Sequence, residues 1–320
     1  MSTANRIPMS WCVKTNPVPY YLGIDGGGTK TTCAVGDESR LLSQAVAGPS
    51  NIVRVGESQA RKSLLEAVRQ ACQAAGIHPS QVARTCVGGS GAARAEVAAA
   101  MRRCLAEIIS TPVDVVGDME IALQAAFGEG PGVIVIAGTG SIAYGRDQNG
   151  NTARAGGWGF AIGDEGSAHW IGRETVRAVL RASDVNEEKA NSSPLVAALY
   201  KAWGVESLAD LARAANSNPP PDFAALFPAI AGSSENLAIH VLTDAGRELS
   251  AIAAIVIRRL FVEAVPVHVA ITGSVFRYAA QVRETFYHEL RKAEPRAEVN
   301  LQVVDPVEGA LRMARRACAG

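Results

Sequence analysis

Runs and alternations of apolar residues divide the chain into short strands and longer helices. Tyr20–Asp25 is an apolar run that stops at Gly26-Gly27-Gly28, and Thr31–Gly36 and Leu41–Ala47 follow closely. Short β-rich runs separated by turn residues predict a hairpin-rich opening to a sheet. From Ser58 to Ala75 the apolar positions Leu64, Leu65, Val68, Ala71 and Cys72 recur at helical spacing, and the pattern ends at Gly76. Val82–Gly88 and Val113–Val116 read as strands, followed by helices over Ala92–Ile109 and Met119–Phe127.

A second series begins at the β-branched run Val133–Ala137. Ala143–Arg146 and Asn151–Ala155 flank Asn149-Gly150, a hairpin signature. Ser167–Arg181 is helical, and residues 184–260 are mostly helical with a break at Asn216–Pro221. Val267–Thr272 and Val299–Val304 read as strands, Ala279–Lys292 and Glu308–Ala317 as helices. The order strand, glycine turn, hairpin, helix and strand thus occurs twice. It predicts two α/β domains with a cleft between them, residues 20–128 plus 305–320 and residues 129–304, the second carrying a helical insertion over 184–260. Residues 1–19 hold Pro8, Pro17 and Pro19 with little periodicity and read as a loose leader.

At 320 residues the chain can bury two cores. Its 31 basic and 31 acidic residues cancel. No global field draws it to nucleic acid or an anionic membrane, so any phosphate must be held locally. Its apolar stretches are too short to span a bilayer; Ala251–Ile257 runs straight into Arg258 and Arg259. Cysteines at 12, 33, 72, 86, 104 and 318 form no C-x-x-C pair. That pattern suits reduced thiols in a cytoplasmic protein and leaves no zinc or iron–sulfur ligand set. None of the histidines, at 78, 169, 240, 268 and 288, pairs with Ser or Cys in a nucleophile motif.

The chemistry concentrates at three strand ends built of small residues: Asp25-Gly26-Gly27-Gly28-Thr29-Lys30-Thr31, Gly138-Thr139-Gly140-Ser141 and Thr272-Gly273-Ser274. Glycine lets backbone N–H groups approach a phosphate, and Thr and Ser add donors without bulk. Known nucleotide motifs fit poorly. Gly23 to Gly28 has P-loop spacing, but Thr29 stands where lysine is required. Gly138, Gly140 and Ala143 satisfy the dinucleotide fingerprint formally, yet the segment continues as a strand. Asp118 opens a helix after a strand and could be its N-cap. Asp25 and Asn51 could be turn formers, and Asp164, ahead of the helix from Ser167, could cap it.

Together the turns resemble the superfamily of actin-like and sugar-kinase ATPases, in which one hairpin from each domain grips the ATP phosphates. Asp25–Thr31 resembles the first phosphate loop, Gly138–Ser141 the second, and Thr272-Gly273-Ser274 the adenosine loop. The blocks Gly156-Gly157-Trp158-Gly159, Gly163-Asp164-Glu165-Gly166-Ser167-Ala168 and Trp170-Ile171-Gly172 are similar to the N-acetylglucosamine kinase branch of the BadF/BadG/BcrA/BcrD ATPase family. The resemblance runs over residues 20–317 and is weakest at 184–240.

It implies an α/β protein of two ribonuclease H-like (actin-like ATPase) domains flanking a nucleotide and sugar cleft. It implies an ATP-dependent kinase of N-acetylglucosamine at the 6-hydroxyl, using ATP and Mg²⁺ and working without nucleic acid or membrane. In that picture Asp118 is the catalytic base and a sugar ligand. Asn51, Gly157, Trp158 and Asp164 hold the sugar. Gly26, Gly27, Gly28, Thr29, Lys30, Gly138, Thr139, Gly140, Ser141, Gly273 and Ser274 hold ATP, and Asp25 meets Mg²⁺ through water. Similar kinases pair through the second domain, so a homodimer is expected. Glucosamine and N-acetylmuramic acid kinases would use the same loops. Activator ATPases of hydroxyacyl-CoA dehydratases belong to the same broad family but need cluster cysteines, which residues 105–317 lack. A nucleotide-gated sensor without turnover is disfavoured by the presence of both Asp25 and Asp118. The Cys/His zinc motif of the related ROK kinases is missing.

Overall fold

The structure, a computed structural model, describes residues 19–219, 221–262 and 265–316. Residues 1–18 of the expected leader, with Cys12, lie outside the described residues, as do residues 317–320 of the expected closing segment, with Cys318.

The first sheet is built from β1 (Tyr20–Gly26), β2 (Thr31–Gly36), β3 (Leu41–Ala47), β4 (Val82–Gly89) and β5 (Val113–Gly117), in the order β3-β2-β1-β4-β5. The helices α1 (Ile52–Ala74), α2 (Ala95–Leu105) and α3 (Asp118–Phe127) connect them. The second sheet, β10-β9-β6-β7-β8, repeats this topology with β6 (Gly132–Ala137), β7 (Ser141–Arg146), β8 (Thr152–Gly156), β9 (Val267–Thr272) and β10 (Ala297–Val303). In both sheets the first three strands are antiparallel and the remaining pairings parallel. Between β8 and β9 run α4 (Ala168–Val185), α5 (Glu187–Asn191), α6 (Pro194–Trp203), α7 (Leu208–Ala215), α8 (Phe227–Ala231) and α9 (Asn236–Leu260). Then come α10 (Ser274–Tyr278), α11 (Ala280–Ala293) and, after β10, α12 (Pro306–Arg316).

Period-2 alternation assigns the strand faces. Leu22, Ile24, Cys33 and Val35 point to the α1 and α2 side, where they join Leu64, Val68, Cys72, Met101 and Leu105 in one core. Tyr21, Ala34 and Cys86 point the other way, onto Ile121 of α3 and Val307, Ala310 and Leu311 of α12. Next on α3, Ala122 and Leu123 pack on Ile134 and Ala270 of the second sheet. Thus α3 lies between the sheets and touches both. The largest core joins the other face of the second sheet to the helical block.

The helix expected over Ala92–Ile109 is confined to Ala95–Leu105, the one expected to end at Arg181 runs on to Val185, and two further shifts have a local cause. The first long helix starts at Ile52 rather than Ser58, because a helical turn precedes a kink at Gly56, whose φ of 78° only glycine adopts cheaply. The helix expected from Ala279 is preceded by the short α10, which ends where Ala279 turns extended.

The described cysteines Cys33, Cys72, Cys86 and Cys104 are free and buried. Burial first, then neighbouring negative charge, pushes the Cys86 thiol to about 12. These groups act as small apolar side chains.

Candidate active site

The two turns expected to be phosphate loops leave the C-terminal ends of equivalent strands and meet across the cleft. Thr29 Oγ1 and Thr139 Oγ1 lie 2.8 Å apart. A Cβ on Gly28 would stand 3.3 Å from Thr139 Oγ1, so glycine here permits the close approach. The Asn51 loop is fastened to the first phosphate loop: the Ser50 and Asn51 N–H groups donate to the Gly27 carbonyl at 3.1 and 3.2 Å. Thr31 Oγ1 donates to the Gly48 carbonyl at 2.8 Å and also pairs with Ser50 Oγ. Asn51 caps α1, its Oδ1 accepting from Val53 and Arg54 N–H at 3.1 and 3.3 Å. Its amide nitrogen is not used in that cap and remains a donor.

The second phosphate loop crowns α4. Its Gly138 and Thr139 carbonyls accept from Ala168 and His169 N–H, at 2.9 and 3.4 Å. Ser141 departs from expectation in one respect. It is buried, and its hydroxyl donates to the Glu165 carbonyl at 2.7 Å, so it braces the loop rather than facing the cleft. Gly273 (φ 107°) sits so close to the second loop that a Cβ would be 2.2 Å from the Ala137 carbonyl oxygen. That contact brings the Thr272-Gly273-Ser274 turn beside Gly138. Lys30 is exposed on its loop, and its charge pulls the Asp25 carboxyl downward.

Three aspartates converge between these loops. Asp118 is not the cap of α3. Gly117 holds that position, with its N–H donating to Glu120 Oε1 at 2.9 Å. Asp118 occupies the next position, where its Oδ1 accepts from Met119 N–H at 2.9 Å. Burial raises its pKa, while the Met119 N–H and the Ser90 hydroxyl oppose the rise. Asp25 is pushed up to about 7, by burial first and then by Asp118 and Asp305. Asp164 is raised by burial, with Glu165 and Asp118 adding and the Gly159 and Ser141 N–H groups opposing. Asp118 therefore lies within electrostatic reach of both Asp25 and Asp164.

Nor does Asp164 cap α4; Ser167 does, accepting from Trp170 N–H at 3.2 Å. Asp164 instead has a φ of 59°, the one positive value outside glycine among the described residues. Its carboxylate rests on Gly140, where a Cβ would be 2.8 Å from Oδ2. Gly157 also needs its left-handed φ of 69°, under the Ile142 side chain. Trp158 is 67% exposed, with the Arg154 guanidinium 4.5 Å from its ring centroid, so it is not a core residue.

The structure adds Ser90 and Asp305 to the site. Ser90 follows β4 in the run Gly88-Gly89-Ser90-Gly91, a fourth small-residue strand end that carried the same signature as the others. Its N–H donates to the Gly26 carbonyl at 3.2 Å. Asp305 precedes Pro306 and carried no signal beyond that of a turn. The oxygen donors around Asp25 suit a hard cation, and their mutual repulsion, which Lys30 relieves only in part, favours further positive charge. Among the described residues no three acidic, His or Cys side chains are arranged to ligate a metal directly. Such an ion would be held through water and nucleotide phosphate.

Known proteins share this frame. An N-acetylmuramic acid/N-acetylglucosamine kinase of Clostridium acetobutylicum is 29% identical over 316 residues, covering 93% of this chain and 99% of the relative. An N-acetyl-D-glucosamine kinase of Dictyostelium discoideum is 27% identical, covering 92% and 97%. A crystal structure from Chromobacterium violaceum, provisionally described as an N-acetylglucosamine kinase, superposes with a TM-score of 0.73 at 27% identity, over 93% of this chain and 99% of that one. The family profile spans residues 22–312, across both sheets and every loop of the cleft, and the chain belongs to the BadF/BadG/BcrA/BcrD ATPase family.

Proposed function

We propose that the protein is an ATP-dependent amino-sugar kinase that phosphorylates N-acetylglucosamine at its 6-hydroxyl. The observation that carries this reading is the position of Asp118, a desolvated carboxylate between two facing phosphate loops and within reach of Asp164. Relatives named as N-acetylglucosamine kinases match nearly the whole chain, which supports the acceptor class.

The chemistry follows from the groups present. The turns of Gly26, Gly27, Gly28, Gly138 and Gly140, with the Thr29 and Thr139 hydroxyls and Lys30, hold the ATP phosphates; the Gly27 and Gly138 N–H groups close those turns on the Lys30 and Gly140 carbonyls, so the donors to phosphate are the other N–H groups of the loops. Gly273 and Ser274 border the nucleoside. Asn51 donates its free amide nitrogen to the sugar, Asp164 accepts from its hydroxyls, and Gly157 and Trp158 border it. Asp118 orients the 6-hydroxyl and accepts its proton as the new O–P bond forms and the bond to the ADP oxygen breaks. Asp25 would hold Mg²⁺ through water, and the bound ion would supply positive charge to the phosphates. Meeting of the loops excludes water that would otherwise take the phosphoryl group.

The same proposal includes the division into lobes at residues 128 and 305, a homodimer through the 184–260 block and a cytoplasmic site of action. Among the described residues no helix is long and apolar enough to cross a membrane. One relative's name also includes N-acetylmuramic acid, so that sugar is the second acceptor to test. Coupled ADP release should be followed against N-acetylglucosamine, glucosamine and N-acetylmuramic acid. Turnover fastest with N-acetylglucosamine is expected, and no turnover with any amino sugar would refute the reading.

A further inference from the structure

Away from the phosphate loops, one ion pair crosses the cleft. Arg54 stands in the first turn of α1, three residues after Asn51, and its Nη2 lies 2.5 Å from Asp222 Oδ1 in the helical block. Both ends are anchored. The Arg54 N–H is held by Asn51, whose own N–H is fastened to Gly27 of the first phosphate loop. On the other side, Asp222 Oδ1 accepts from Ala224 N–H at 3.0 Å, and the Asp222 carbonyl accepts from the Trp203 indole at 3.3 Å. The adjoining Phe223 packs on α4 so tightly that a Cβ on Gly172 would be 2.1 Å from its carbonyl oxygen.

Beneath the pair lies a row of rings. Trp203 meets Phe223 at 5.1 Å, Phe223 meets His169 at 5.2 Å, and His169 meets Phe160 at 5.2 Å. His169 in turn donates its N–H to Thr139 of the second phosphate loop. The pair therefore connects the loop carrying Asn51 with the element that carries the second phosphate loop. Among the described residues the other ion pair between the two lobes is Arg316–Glu129, at the connecting segment itself.

We propose that Arg54 and Asp222 are a positioning pair that latches the sugar end of the cleft, bringing the Asn51 loop against the lobe that carries Asp164 and Trp158. This rests on the kinase reading for its choice of substrate, but the coupling between the lobes does not. The Thr29–Thr139 contact closes the nucleotide end, so loss of the latch acts on the sugar and spares ATP. Side-chain exposures of 26% and 54% make this a weak, exchangeable pair, as a latch that must release product requires.

The test uses Arg54→Ala, Asp222→Ala, the double variant and the exchanged pair Arg54→Asp with Asp222→Arg. Each single variant should raise the sugar KM about two- to fivefold and leave the ATP KM unchanged. The double variant should be no worse than either single, and the exchanged pair should regain most of the loss. Hydrogen exchange supplies a readout independent of the substrate. Asp222→Ala should speed amide exchange at residues 51–56, in the opposite lobe. Unchanged sugar KM together with unchanged exchange at 51–56 would overturn the latch. If the parent turns over no amino sugar while the exchange coupling persists, the kinase reading falls and the latch stands.

Discussion

Replacing Asp25 by asparagine should stabilise the ligand-free protein and at the same time abolish its response to MgATP. The Asp25 carboxyl is moved from 3.8 to about 7 by burial and by Asp118 and Asp305, with Lys30 opposing. A displacement of that size corresponds to roughly 4 kcal/mol against the ionised form. Asp25 is only half-buried, so water screens part of this, and about 1–2 kcal/mol should be recoverable by removing the charge. The sign follows from proton binding. Between 3.8 and about 7 the folded protein holds a proton that the unfolded chain has lost. Stability therefore declines as pH rises through that window and levels off above it. Asparagine removes the decline. The gain in melting temperature should be about 2–6 °C at pH 8 and should vanish toward pH 4. Differential scanning calorimetry at pH 5 and pH 8, with and without MgATP, reads all of this. Saturating MgATP should raise the parent's melting temperature but barely move the variant's. A variant that melts lower than the parent at pH 8, or that gains equally at both pH values, would refute the electrostatic account.

Asp118→Asn should lower kcat by about 10²–10⁴ while both KM values stay within a few-fold, measured by steady-state kinetics. Its melting temperature should hold, because Glu120 rather than Asp118 makes the cap of α3. Thr139→Ala removes the 2.8 Å contact with Thr29 and should raise the ATP KM about tenfold with little change in sugar KM. Gly23→Ala places a Cβ 2.3 Å from the Leu311 nitrogen of α12, against backbone that cannot yield. It should cost more than about 3 kcal/mol, seen as insolubility or a collapsed thermal transition, whereas a parent-like melt would show that α12 can move off β1.

The strands were legible because their signals are local. Thr31–Gly36 and Leu41–Ala47 begin and end as expected from β-branched or apolar content and the turns beside them. The repetition of that pattern at Val133 predicted the second sheet, and both sheets have the same strand order. The two glycine turns that face each other in the structure were visible because a glycine cluster at a strand end survives without tertiary context. Helix caps were read less well. Asp118 lies one residue inside α3, where Gly117 is the cap and its N–H donates to Glu120, and Asp164 lies three residues ahead of Ser167, which caps α4; offsets of one to three residues decide which residue is the cap. Ser90 stands in a small-residue strand end like the others, Gly88-Gly89-Ser90-Gly91, whereas Asp305 stayed hidden because nothing beside it but Pro306 marks it. They belong to the site only through the folding of β4 and α12 onto β1.

The glycines of the second phosphate loop acquire a meaning beyond phosphate binding. Asp164 takes a backbone conformation that costs a non-glycine residue about 1 kcal/mol, and it is buried among like charges. What holds it there is space on one side and two N–H donors on the other. A side chain at Gly140 would displace the carboxylate, since its Cβ would fall 2.8 Å from Oδ2. The N–H groups of Gly159 and Ser141 stabilise the ionised form that burial disfavours. Gly140 is thus required by the neighbouring aspartate, apart from any part in the proposed nucleotide site. The same reasoning applies to Gly88, where Ile121 of α3 leaves no room for a Cβ beside the run that presents Ser90 to Asp118. In both places the small residue admits a partner side chain or helix, and the partner fixes a carboxylate. The strain and repulsion collected around the cleft are offset elsewhere, in the closely packed contacts of α12 with β1 and α3.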